Sequence, residues 1–108
     1  MFTSYRHHGF LGFSFKDIYD NQCSIQESSL ADDNCIWFGP DDANPKVLAS
    51  RAASVGVETK ETTGWVPYPI PVEILLYTRM HLSQEQVREL IPVLQHFVDH
   101  GYLPEEGA

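Results

Sequence analysis

Apolar and polar positions alternate from Phe10 onward: Leu11, Phe13 and Phe15 are separated by Gly12, Ser14 and Lys16. A period of two puts the three apolar side chains on one face of a strand. Cys23 and Ile25 alternate in the same way with Ser24 and Gln26, so the Cys23/Ile25 side is expected to face the core. Tyr19-Asp20-Asn21-Gln22 lies between the two runs and carries turn-forming residues. Together they predict a hairpin. Ala31-Asp32-Asp33-Asn34 marks a second turn, and Cys35-Ile36-Trp37-Phe38 follows, apolar throughout and stopped by Gly39-Pro40. A short run without alternation fits a strand covered on both faces or set in mid-sheet. Three strands joined by short connections make an antiparallel meander.

The middle of the chain carries weaker signals. Asn44-Pro45 has the form of an N-cap followed by proline at the first helical position, which predicts a short helix over 46–54 closed by Gly56. Pro67, Pro69 and Pro71 fix extended backbone and restrict their predecessors, so 57–71 is expected to be a long loop within a variable insert over 40–72. Val72 to Met80 (VEILLYTRM) is apolar at both parities and predicts a central strand. Residues 1–9 are mostly polar and predict a flexible lead-in.

The C-terminal helix has the fullest signature. Ser83 with Gln86 three residues on forms a capping box, and Leu82 with Val87 has hydrophobic-staple spacing. Val87, Leu90, Ile91, Leu94, Phe97 and Val98 form one continuous apolar face. Gly101 ends the helix, and Pro92 is expected to loosen the turn over 88–92. An amphipathic helix and a one-sided sheet each need a cover. The expected fold class is therefore α+β: a small antiparallel sheet of about four strands, packed by the C-terminal helix, with a short middle helix and a long loop, in one domain over 1–108.

Charge narrows the function classes. Seven Lys+Arg against fifteen Asp+Glu give a net charge of −8 in 108 residues. Direct nucleic-acid binding is not expected, because it needs a basic surface to displace counterions. No apolar run reaches the length of a membrane helix, so a membrane partner is not expected and a cytoplasmic location is. Cys23 and Cys35 show no CxxC or zinc-ligand spacing and are expected to be reduced, packed thiols.

Candidate chemistry is sparse. Ser28-Ser29 lacks a GxSxG elbow and any nearby mark of a base. His96 and His100 share a helix face at metal-ligand spacing but lack a third ligand at recognisable spacing. No catalytic residue, cofactor or metal site is expected, and the chain is read as a non-enzyme. Arg79 is expected to pair with a carboxylate such as Glu27 or Glu73, or to meet a partner. Asp32, Asp33, Asp41 and Asp42 bracket the third strand and are expected to converge into a negative patch. Trp65 and Tyr68 are the loop aromatics suited to anchor an interface, with core packing of Trp65 as the alternative.

The runs FSFKDIYDNQCSIQESSLADDNCIWFGP and RMHLSQEQVRELIPVLQHFVDHGYL resemble a family of small uncharacterised proteins from bacteria and their phages and prophages. The similarity covers Phe13–Gly39 and Arg79–Leu103, about half the chain. The family supplies no catalytic residues to carry over. The resemblance implies an accessory protein of the anti-CRISPR kind, a phage- or prophage-encoded inhibitor in the bacterial host cell. Its partner would be a host protein or a nucleoprotein defence complex, blocked by steric or electrostatic occlusion. The alternative is a structural or regulatory domain that acts through homo-oligomerisation, for instance as a homodimer.

Overall fold

A computed structural model describes residues 1–29 and 33–105. The chain divides into two compact units, Met1–Asp41 with Arg79–Ala108, and Asp42–Thr78. The second unit starts within the expected insert over 40–72 and runs past its end to Thr78.

The first unit is α+β. Its strands are β1 (Thr3–His7), β2 (Phe10–Lys16), β3 (Gln22–Glu27), β4 (Cys35–Pro40) and a late strand, Met80–Ser83, numbered β7 below. They form one antiparallel sheet in the order β1-β2-β3-β4-β7. The predicted meander is β2-β3-β4, extended by a strand on each side. β1 occupies the place of the expected lead-in. His8 at φ 50° and Gly9 at φ 85° supply the two positive φ values of a tight hairpin turn, and this turn lets the polar N-terminal run pair with β2. The β2–β3 turn is built on Asp17. Its carboxylate accepts bonds from Asn21 Nδ2 and from the backbone N–H groups of Asn21 and Tyr19, which holds its pKa below the usual carboxylate value.

The helix α1 (Gln84–His100) starts where β7 stops. Ser83 is the last strand residue and also the N-cap: its Oγ accepts from Gln86 N at 3.1 Å, and Gln86 Oε1 accepts from Ser83 N at 2.9 Å. Gly101, at φ 82°, closes the helix with its N–H on the Phe97 carbonyl. The helix runs through Pro92 without ending. No residue of α1 is buried, and its nearest packed element is β7. The expected fold class, an antiparallel sheet with a C-terminal helix, is the one observed, and Val87 and Ile91 of α1 line a cavity of about 830 Å³ together with Ile36 and Leu82 of the sheet.

The second unit holds β5 (Lys46–Leu48), a 3₁₀ helix (Ala49–Val55) and β6 (Trp65–Pro67), with β5 antiparallel to β6. The helix begins later than Asn44-Pro45 predicts, because Val47 is used in the β5–β6 pairing. Gly56, at φ 79°, ends it as expected. Ala52 and Val66 are this unit's buried side chains. The strand expected over Val72–Met80 does not form: Pro71 and Ile74 close a turn, no ladder is made over 72–78, and β7 starts only at Met80. That strand is also an edge of the sheet rather than its centre.

Candidate functional site

Strand register sorts the first unit's sheet into two unlike faces. Cross-strand partners share a face. One face therefore carries Leu11, Phe13 and Phe15 from β2, Cys23 and Ile25 from β3, Ile36 and Phe38 from β4, and Met80 and Leu82 from β7. This is the apolar side that the alternation predicts. The other face carries Tyr5, Gly12, Ser14, Ser24, Gln26, Trp37 and His81. Arg79, immediately before β7, joins it through its side chain.

The polar face carries a linked group centred on Ser24, Arg79 and Trp37 and a separate Tyr5–Gln26 bond. Ser24, only 2% exposed, donates from Oγ to Asp41 Oδ1 at 2.6 Å and accepts from an Arg79 guanidinium N–H at 3.1 Å. One hydroxyl thus relays between a cation and a carboxylate, with its donor and an acceptor position both used. The Arg79 guanidinium also stands 5.7 Å from the centre of the Trp37 ring, within cation–π range. His81 stacks on Trp37, with centroids 3.9 Å apart and planes 12° from parallel. His81 Nε2 lies 2.9 Å from Ser28 Oγ. Tyr5 crosses from β1 over Gly12 and donates to Gln26 Oε1 at 2.8 Å. Only glycine leaves room for that crossing, since a Cβ at position 12 would stand 2.5 Å from the tyrosine ring. Tyr5, His7, Ser24, Gln26, Asp41 and Arg79 line an open concavity of about 350 Å³.

The sequence-derived candidates separate on this frame. Arg79 and Asp41 come together through Ser24, whereas the carboxylates expected for Arg79 take no such role. Glu27 instead accepts from Leu11 N at 2.6 Å. Asp33 precedes β4 and Asp41 follows it, so these two carboxylates stand at opposite ends of a six-residue strand. Asp32 lies outside the described residues. Asp42, Trp65 and Tyr68 belong to the second unit, where Trp65 is largely exposed rather than packed in a core.

Sequence reasoning missed Tyr5, Ser24, Gln26, Trp37 and His81. The available signal was the polar parity of β3, Ser24-Gln26-Ser28, opposite the apolar parity that drew attention. Ser28 does gain a histidine neighbour that the sequence could not locate. Among the described residues no carboxylate is bonded to His81 Nδ1.

The thiols are free. Cys23 pairs with Pro40 at one end of β4 and Cys35 sits at the other. Burial pushes the Cys23 thiol pKa up, and the Asp17 and Asp41 charges act in the same direction. His96 and His100 have centroids 4.3 Å apart, but His96 Nδ1 is engaged with the Tyr102 carbonyl at 3.0 Å. No metal-binding group of three or more His, Cys, Asp or Glu occurs among the described residues. No helix among them is long and apolar enough to cross a membrane. No protein-family model, curated protein or solved structure matches this chain.

Proposed function

We propose that this chain is a non-enzymatic binding protein whose recognition surface is the polar face of the five-stranded sheet. The supporting observation is the set of Tyr5–Gln26 and Arg79–Ser24–Asp41 bonds around one open concavity, with the Trp37–His81 stack beside Arg79. Arg79 commits one N–H to Ser24, and a guanidinium has further donors to offer an incoming carboxylate or peptide carbonyl. Trp37 and His81 supply a planar platform beside it. Tryptophan, tyrosine and arginine are the residues that most often dominate binding energy at protein interfaces. A pre-ordered surface of this kind suits a protein that acts by occupying a partner's surface. That action is also what an inhibitor of a host defence complex requires, and it replaces the acidic turns as the contact.

The test is quantitative capture from nuclease-treated bacterial lysate, with the whole chain as bait. Trp37→Ala and Arg79→Ala are compared with Asp33→Lys and Asp42→Lys. The reading expects a stoichiometric protein partner whose recovery falls at least tenfold for the first pair and is kept by the second. A partner lost with the aspartate reversals but retained by Trp37→Ala and Arg79→Ala would overturn it. Recovery of no protein other than the bait would also count against it.

A further inference from the structure

The opposite face of the sheet raises a separate question. Among the described residues of the first unit, the only buried side chains are those of Cys23 and Ser24. A folded unit of this size ordinarily buries well over half of the surface its unfolded chain exposes. Here the apolar strand face is left open at Phe13 and Met80, its other members being buried or half-buried, and the helix stripe is open from Ile91 to Val98. Phe13 is 39% and Met80 53% exposed, and Leu94 and Phe97 are 46% and 52% exposed.

The connection bears on why only the first turns of the helix, at Val87 and Ile91, share a cavity with Ile36 and Leu82 of its own sheet while Leu94, Phe97 and Val98 stay exposed. A helix that returns over the sheet from a strand uses a loop of about 2–6 residues. Here Ser83 serves at once as the end of β7 and the N-cap of α1, so there is no loop in which to reverse. The two surfaces nevertheless match in size. Seventeen helical residues span ~26 Å, and five strands span ~19 Å across the sheet.

We infer that the first unit is completed by a second copy of this chain, with the Val87–Val98 stripe of each α1 laid across the Phe13/Met80 face of the other copy's sheet. Such an exchange is isologous, so one two-fold axis closes it and leaves no open end for further growth. The area fits. Phe13, Met80, Ile91, Leu94, Phe97 and Val98 still expose on the order of 100 Å² each. That gives on the order of 600 Å² per copy before their half-buried neighbours are counted, against about 800 Å² per partner in a standard interface. The inference does not rest on the proposed function, since the recognition network lies on the other side of the sheet and stays outward in the dimer.

Light scattering on the purified full chain, across micromolar to hundred-micromolar concentrations, reads this directly. The expected mass is twice 12.3 kDa throughout. A mass of 12.3 kDa with cooperative, concentration-independent unfolding would overturn the inference. The mode of pairing is tested by Leu94→Lys and Phe13→Glu. Each alone is expected to lose the dimer, and mixing the two is expected to restore a heterodimer, because a lysine on the stripe of one copy then meets a glutamate on the sheet of the other. A dimer that survives either single change, or single variants that stay monomeric when mixed, would place the contact elsewhere. Capture of the proposed partner by monomeric wild type would show that the two readings fail separately.

Discussion

The two faces of one five-stranded sheet solve the problem of burial in opposite ways. The polar face buries Ser24 and Gly12 under a network in which the buried hydroxyl has its partners, and Tyr5 folds over glycine to reach Gln26. It is ordered from within. The apolar face holds Phe2 against Phe15 at 4.8 Å and Phe15 against Phe38 at 6.2 Å, yet leaves Phe13 and Met80 open. It is ordered only when something covers it. A surface that satisfies its own hydrogen bonds can wait for a partner at no cost in stability. A surface of exposed phenylalanine cannot, because each large side chain left in water forgoes about 1.5–3 kcal/mol.

Several substitutions sharpen this contrast. The largest effect belongs to the apolar side. Phe97→Glu places a carboxylate in the helix stripe and is expected to weaken self-association at least ~1000-fold, about 4 kcal/mol, as read by sedimentation equilibrium. Asp99→Lys, a change to one of the helix's exposed polar residues, is expected to leave association within twofold.

On the polar side, Arg79→Ala strips the buried Ser24 hydroxyl of its donor and uncovers Trp37. It is expected to cost ~1–3 kcal/mol in urea denaturation while leaving the dimer intact. If Arg79→Ala instead dissolved the dimer, the division between the faces would be wrong. Ser83→Ala removes the N-cap at the strand–helix junction and is expected to cost ~1 kcal/mol, with a measurable loss of helical circular dichroism. Gly12→Ala is expected to cost about as much, ~1 kcal/mol, by pushing Tyr5 off Gln26. Tyr5→Phe in that background should then add almost nothing.

The smallest effect is a rate. Burial raises the Cys23 thiol pKa, so at pH 8 less of it is thiolate than in the unfolded chain. Cys23 should alkylate more slowly than the half-buried Cys35, and urea should erase the difference.

The sequence made some of this plain and concealed the rest for definite reasons. Strands β2 to β4 and the capped helix were legible because alternation and capping chemistry are local. β1 was not, because a polar edge strand has no apolar period and its turn depends on His8 adopting positive φ. VEILLYTRM has the composition of a buried strand but finds no pairing strand over 72–78, and only its last residue enters β7. Arg79 was identified as a candidate from its type. Its partners were not, since Ser24 lies 55 positions away and only the register of β3, β4 and β7 brings the two together. The acidic turns were visible as charge, but whether they converged depended on which ends of β4 they flank.

Hydroxyl-radical footprinting of the full chain in solution reads the exposure of both faces in one experiment. With the apolar face covered by a second copy, Met80, Phe13 and Phe97 are expected to be protected well below the exposed Tyr19 and Met1, and Met80 and Phe13 to become reactive in Phe97→Glu. Modification of Met80 and Phe97 in wild type at rates matching Tyr19 would contradict that cover.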